Sequence, residues 1–149
     1  MKEMQLPRGL RNNNPLNIRK GGNWQGLDNP PDDGAFCRFV SMEMGFRAAF
    51  KLLHRYYHKY KLRTTRDIIA RWAPEGDGNN TKRYARFVSL SIGRTPRDYI
   101  PDIELFRWEW VQIVVAMAQV ENGVNYCDEV VLEYQAGKAW DMLFKKEEG

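Results

Sequence analysis

The segment at residues 102–123, DIELFRWEWVQIVVAMAQVENG, is the most apolar part of the chain. Its middle carries apolar side chains around most of the circumference of a helix, whereas a surface helix carries them along one stripe. A helix of this kind has to be enclosed by other elements on nearly every side. The sequence therefore predicts one central buried helix, capped by Asp102 and stopped at Asn122 and Gly123.

Amphipathic helices are predicted on both sides of this segment. Ser41 is placed to cap a first helix, a shorter helix follows Thr65, and Thr81 is placed to cap a third. A last helix is predicted at residues 128–144 from its apolar spacing. These helices would supply the apolar surfaces that enclose the central one.

The first 40 residues differ from the rest in being rich in Asn, Gly, Pro and Asp. Two short alternating pieces, NIRK and AFCRFV, predict a small β-hairpin among loops. The 149 residues contain no repeat and no linker. We therefore expect a single, mainly α domain of the α+β class, with a loop and β-hairpin lobe at residues 1–40 and a helical lobe at residues 41–146.

The net charge and the two cysteines exclude few classes of function. A net charge of +4 agrees with a nucleic-acid partner, an anionic cell-wall polymer or plain solubility. No run approaches the roughly 20 apolar residues of a membrane span, and the N-terminus has no apolar core of a secretory signal. We expect synthesis in the cytoplasm. Cys37 and Cys127 have no metal-ligand spacing, and two free thiols or one disulfide are both open.

Glu121 is the best-placed candidate for chemistry, because it lies where the central helix ends, just before a glycine. The negative end of the helix dipole disfavours a carboxylate there, and partial burial acts in the same direction. Its pKa should be raised, as a general acid requires. An exposed glutamate paired with an arginine is the plainer alternative. Candidates for a second acid lie at residues 75–77 and 28–33.

The opening segment RGLRNNNPLNIRKGGNWQG, residues 8–26, holds five asparagines and Trp24. Asparagine offers both a donor and an acceptor, and tryptophan offers a flat apolar face. This mixture suits a loop fixed by its own hydrogen bonds, or a groove for a neutral, hydroxyl-rich ligand such as a glycan. Trp24 is the residue we expect to pack against a sugar ring.

His54 and His58 stand four residues apart on the first helix, a spacing that can chelate a metal. No third ligand accompanies them in the sequence, so we interpret them as a surface pair and expect neither a metal nor a cofactor. The overlapping basic segment at residues 55–66 could bind nucleic acid through its tyrosines. However, Tyr56 and Tyr57 fall on the apolar side of the helix, and core packing explains them more simply.

Four motifs together resemble a family of phage and prophage proteins: RGLRNNNPLNIR with NWQG, FCRFVSMEMGFRAAFKLL, IIARWAPEGDGNNTKRYARFV, and VENG followed by YCDEVV. That family has an R-G-x-R-N-N-N-P-x-N-I-R opening, a W-A-P turn and an H-E-N-G-like helix end. Its members are described as phage structural or virion proteins and are similar to lysozyme-like muramidases and lytic transglycosylases. The resemblance covers nearly the whole chain, with Val120 in place of the histidine and a longer Asn-Gly turn.

This resemblance implies a lysozyme-like domain that cleaves or binds the glycan strands of peptidoglycan. Glu121 would protonate the glycosidic oxygen, and one acid suffices if a group of the substrate acts as the nucleophile. Lysozyme-like enzymes usually have the helix before the Asn-rich loop, so a circularly permuted order is expected here. The predicted substrate-binding residues are Asn13, Asn14, Asn17, Arg19, Trp24, Trp72 and Asn122.

Two other functions stay open. A virion structural component would keep this fold without catalysis and would have other virion proteins as partners. A nucleic-acid-binding protein would use residues 55–66, which is the weakest of the three hypotheses. The virion and the cell wall are the two destinations that the resemblance implies.

Overall fold

The computed structural model describes residues 5–146. Within this range the chain forms six α-helices and a two-stranded antiparallel sheet, which confirms the mainly helical α+β class. The elements are α1 Arg8–Arg11, β1 Leu27–Asp32, β2 Cys37–Phe39, α2 Met42–His58, α3 Thr65–Trp72, α4 Thr81–Leu90, α5 Arg107–Asn122 and α6 Glu129–Phe144. Short 3-10 turns lie at Glu75–Asp77 and Val124–Tyr126.

Helix α5 is the central helix that the apolar segment predicts. It is buried almost continuously between Trp110 and Ala118, and it contacts α1, α2, α4 and α6. Helices α2 and α6 pack along each other, and α3 packs against α4. Burying an apolar helix on all sides removes the largest amount of apolar surface from water, which explains its place in the middle.

The predicted end of α5 is confirmed, and its predicted start is wrong. Gly123 ends the helix with φ of 94°, a conformation that favours glycine. Asp102 does not cap α5, which begins five residues later. Instead its carboxylate accepts the backbone N–H of Glu104 over 2.8 Å, and its carbonyl oxygen accepts the N–H of Phe106. These bonds form a separate turn in front of the helix.

Of the two other predicted caps, Ser41 is confirmed and Thr81 is wrong. The Ser41 hydroxyl accepts the N–H of Met44. Helix α6, predicted from its apolar spacing alone, is capped by Asp128. Helix α4 is capped by Asn80 rather than by Thr81, whose hydroxyl instead donates to the Ala73 carbonyl over 2.6 Å. Asparagine and threonine both serve as caps, so neighbouring candidates in one sequence do not reveal which is used.

The hairpin of the front lobe is only partly as predicted. AFCRFV contains β2, as expected, but the partner strand β1 is LDNPPD rather than NIRK. The register pairs Leu27 with Phe39 and Asp32 with Cys37. NIRK contributes one isolated bridge, between Arg19 and Phe36. The sequence of β1 does not predict a strand, because it contains two prolines and proline is rare in strands except at edges.

Cys37 and Cys127 are free thiols, the first of them buried. Along residues 5–146, no helix combines the length and the apolar character that crossing a membrane requires.

Candidate functional site

The Asn-rich loop owes its shape to its asparagines. Asn13 and Asn17 have φ of 51° and 54°, in the left-handed region that asparagine enters more readily than most residues. The Asn14 side chain is fully buried and donates to the carbonyls of Ile18 and Cys37 over 2.9 and 3.0 Å. Its oxygen accepts the N–H of Ile18 over 2.9 Å. These bonds fix the loop to itself and to β2.

The same loop is attached to the C-terminal end of α5. The buried Asn122 side chain donates to the Pro15 carbonyl over 2.8 Å and to the Ala118 carbonyl over 2.9 Å. Gly9 permits the close approach, since a methyl group on it would overlap Asn122 Oδ1 and would lie 2.9 Å from Asn17 Oδ1. The front lobe therefore lies directly against the end of the central helix.

Glu121 lies at this junction, half-buried. Its Oε1 accepts a hydrogen bond from Asn17 Nδ2 over 3.1 Å, and its Oε2 accepts one from the Tyr84 hydroxyl over 2.9 Å. Burial raises the pKa of Glu121, because the charged form loses hydration, and the two donated hydrogen bonds lower the pKa by less. The carboxyl group is thereby held in one orientation with an increased tendency to keep its proton.

Tyr84 is a buried partner whose hydroxyl keeps its own proton. Burial, together with the neighbouring Glu121 carboxylate, raises the pKa of Tyr84 well above its ordinary value. The tyrosine therefore acts as a donor to Glu121 and not as a base.

A cleft of about 480 Å³ opens over Glu121. Amide, guanidinium and apolar groups line it together, a composition typical of small-molecule sites. Among the lining residues, all in the described part of the chain, Glu121 is the only carboxylic acid. The cleft can hold a polar ligand with apolar faces and offer it one proton. Its lining consists of Asn79, Asn80, Arg83, Tyr84, Phe87, Val120, Glu121 and Val124.

Of the predicted site residues, the structure brings Asn17 and Glu121 together. The side chains of Asn14 and Asn122, which were predicted to bind substrate, are buried and hydrogen-bonded to backbone carbonyls. Asn13 donates to the Phe39 carbonyl over 3.2 Å and does not line the cleft. These three asparagines fix the backbone of the front lobe next to the cleft.

The remaining predicted residues do not line the cleft. Trp24 packs partly against the core and lines a separate groove with Arg47, Lys51 and Arg55, among others. Trp72 packs edge-on against a tyrosine of α2, and the Arg19 guanidinium lies 5.2 Å from the Phe36 ring centre. None of the three is among the residues that line the cleft over Glu121.

Sequence reasoning missed the α4 side of the cleft. Tyr84 is buried beneath the cleft, and the ring of Phe87 is 39% exposed and lines it. Asn79 and Asn80 belong to a polar segment that, from the sequence, predicts only a turn before α4. The segment IIARWAPEGDGNNTKRYARFV, which forms part of the resemblance, spans these residues and was the available signal.

The tyrosines of the basic segment are engaged within the protein. Tyr57 is buried and donates to the Ile100 carbonyl over 2.9 Å. The Arg71 guanidinium lies 5.2 Å from the Tyr56 ring centre and 4.0 Å from that of Tyr60. These rings have intramolecular partners where nucleic-acid bases would need to stack.

No protein-family model matches the sequence. The chain is similar to Protein P5 of Pseudoalteromonas phage PM2, with 39% identity over 125 residues, covering 81% of this chain and 74% of P5. The phage part of the resemblance is confirmed by this similarity. The chain therefore belongs to a family of phage proteins that includes Protein P5 of phage PM2.

Proposed function

We propose that this phage protein binds the glycan strands of bacterial peptidoglycan and cleaves them with Glu121 as the general acid. The observation that carries the proposal is a half-buried carboxyl group with a raised pKa that faces a cleft of about 480 Å³. A general acid needs a proton at working pH and access to the bond it protonates. The raised pKa of Glu121 favours the protonated form, and its place in the cleft lining gives access to a bound ligand.

The two hydrogen bonds to Glu121 support this role. Asn17 and Tyr84 each donate to one carboxyl oxygen, and so they limit rotation of the group. A fixed orientation reduces the entropic cost of reaching the reactive geometry. Both residues are positioning residues in this proposal, since they act through Glu121.

The single acid indicates how the reaction would proceed. Two-carboxylate glycosidases place a second Asp or Glu across the bond, and the described lining of this cleft holds only Glu121. The proton of Glu121 would pass to the glycosidic oxygen as the C–O bond breaks. The N-acetyl oxygen or a hydroxyl of the same sugar would then supply the electron pair to the anomeric carbon. The Glu121 carboxylate would take back a proton, either from that attacking hydroxyl or from the water that opens the N-acetyl adduct. The lysozyme-like or transglycosylase character implied by the resemblance agrees with such a mechanism.

Recognition would come from α4 rather than from the tryptophans. The exposed ring of Phe87 can pack against the C–H face of a sugar, in the role first expected of Trp24. The Arg83 guanidinium can pair with the carboxylates that peptidoglycan carries.

The test is incubation of the purified protein with purified peptidoglycan, followed by mass analysis of the released fragments. The proposal expects glycan fragments from the wild type and almost none from Glu121→Gln. Anhydro ends would indicate attack by a sugar hydroxyl, and reducing ends would indicate hydrolysis. Fragment release by Glu121→Gln at the wild-type rate would remove Glu121 from the mechanism.

A non-catalytic virion component is the second candidate. It is favoured by Trp24 and Asn14, which were expected to hold sugars but do not line the cleft: Trp24 lines another groove and Asn14 is fully buried. This candidate expects the protein in purified virions, with no fragments released by the wild type under any condition.

A further inference from the structure

We propose that His54, His58 and Glu104 form a binding site for one divalent transition-metal ion, with zinc as the expected occupant. This site is separate from the cleft over Glu121. The two histidines project from α2, and Glu104 lies in the turn that precedes α5. The fold therefore supplies the third ligand that the sequence does not place near the pair.

The geometry is close to that of a metal site. One potential ligand atom from each of the three residues lies within 4.8 Å of the other two. His54 Nε2 is 2.7 Å from Glu104 Oε1, and the two imidazole ring centres are 4.5 Å apart. Zinc–ligand bonds of about 2.0–2.2 Å place tetrahedral ligands about 3.3 Å from one another. Small side-chain rotations would bring these atoms to that spacing.

His58 gives the second, independent observation. Its Nε2 atom is buried and makes no hydrogen bond within the described residues. Asp102 Oδ1, its nearest charged partner, is 3.5 Å away and already accepts the N–H of Glu104. A buried imidazole nitrogen without a partner costs free energy, and a metal ion would satisfy it.

The set of donors agrees with zinc. Imidazole nitrogen and carboxylate oxygen are both zinc ligands, and two histidines with carboxylates are unsuited to a magnesium or calcium site, which uses oxygen. Histidines four residues apart on a helix share one face, so α2 presents both to the same ion.

The site has a structural role in this proposal. Glu104 precedes α5 and Glu121 lies near its opposite end, so the helical rise separates the two sites by about 20 Å. A metal ion would link the C-terminal half of α2 to the turn before α5. It would stabilise the folded chain through ligands that come together only on folding.

The test uses full-length protein without an affinity tag, stripped with a chelator and then titrated with Zn²⁺ or Co²⁺. We expect one ion per chain, a higher Tm on adding Zn²⁺, and visible absorption of tetrahedral Co²⁺ without a thiolate charge-transfer band. His54→Gln with His58→Gln should abolish all three effects, and Glu104→Gln should weaken affinity about tenfold or more. Glu129→Gln and Cys127→Ser are matched controls that should bind as the wild type does.

If the double variant fails to fold, a titration of the wild type alone still tests whether the two histidines bind the metal. The chain has two histidines, so NMR spectra of their ring nitrogens can be followed directly during the titration. Both should shift at one equivalent of Zn²⁺. Unchanged histidine signals, a thiolate band with Co²⁺, or equal metal uptake by Glu104→Gln and the wild type would each overturn the proposal.

Discussion

Asn17 Nδ2 donates a hydrogen bond to Glu121 Oε1 over 3.1 Å, although 104 residues separate the two in sequence. Neither side chain could adopt this position from local structure alone. Asn17 is held by the left-handed turns of its loop, and Glu121 is held by the end of α5. The contact joins the front lobe to the central helix at the group with the raised pKa.

Removing the Asn17 amide should raise the pKa of Glu121 further, because its hydrogen bond favours the ionised form. Asn17→Gly is the suitable change, since glycine adopts φ of 54° without strain. Titration of the Glu121 carboxyl carbon by NMR measures the shift. Asn125→Gly, at an exposed position, is the control. An unchanged or lower pKa in Asn17→Gly would show that the bond is not formed in solution.

Tyr84→Phe should likewise raise the pKa of Glu121, since the tyrosine hydroxyl is the other donor. The ring stays in place, so packing is largely kept. The same titration measures the effect, with Tyr99→Phe as the control, because Tyr99 is 76% exposed. If both tyrosine variants leave the pKa of Glu121 as in the wild type, the proposed orientation of its carboxyl group is wrong.

The stability of the protein should depend on the ionisation of Glu121. Burial raises its pKa in the folded protein above the value of about 4.3 in the unfolded chain. The folded state therefore holds the proton more tightly, and this stabilisation is complete below the unfolded pKa and lost as the pH rises through the folded pKa. Glu121→Gln has no such loss.

The difference in Tm between Glu121→Gln and the wild type should consequently move in favour of the variant as the pH rises from about 4 to about 7. Thermal unfolding across that range measures it. Glu129→Gln, on the surface of α6, reports the effect of the substitution itself. A difference in Tm that stays constant with pH would contradict the raised pKa.

Gly9→Ala should destabilise the junction between the loop and α5. The added methyl group would overlap Asn122 Oδ1 and would lie 2.8 Å from the Asn14 carbonyl oxygen. Forcing such contacts apart costs about 1–3 kcal/mol. Urea unfolding measures the loss. Gly76→Ala is the control, since nothing lies within 4 Å of the added atom, and equal free energies of unfolding for the two variants would refute the close approach.

Local signals in the sequence were sufficient for most of the helices. Ser41 and Gly123 lie at helix ends, where their side chains or backbone conformations have specific uses, and the buried character of α5 follows from its composition. The prediction that Asp102 caps α5 was wrong because an aspartate side chain stabilises a turn as readily as a helix start. Strand β1 was missed because its pairing with β2 depends on the rest of the lobe and not on its own residues.

The sequence predicted one residue that lines the cleft and missed the others, because their place in the cleft depends on tertiary packing. Glu121 could be found from its position at a helix end, but Tyr84 and Phe87 belong to the cleft through the packing of α4 against α5. Asn14 was predicted to bind a ligand because the sequence does not tell an amide that fixes its own loop from one that faces solvent. Which group each asparagine amide hydrogen-bonds to is decided only when the chain has folded.

The most direct test of the central claim is the rate at which purified protein releases glycan fragments from peptidoglycan, compared between the wild type and Glu121→Gln. Loss of a general acid costs about 100-fold or more in rate. We predict a loss of that size in Glu121→Gln, with Glu129→Gln retaining the wild-type rate. Equal rates for the wild type and Glu121→Gln, or no fragments from a wild-type protein that binds peptidoglycan, would contradict the account.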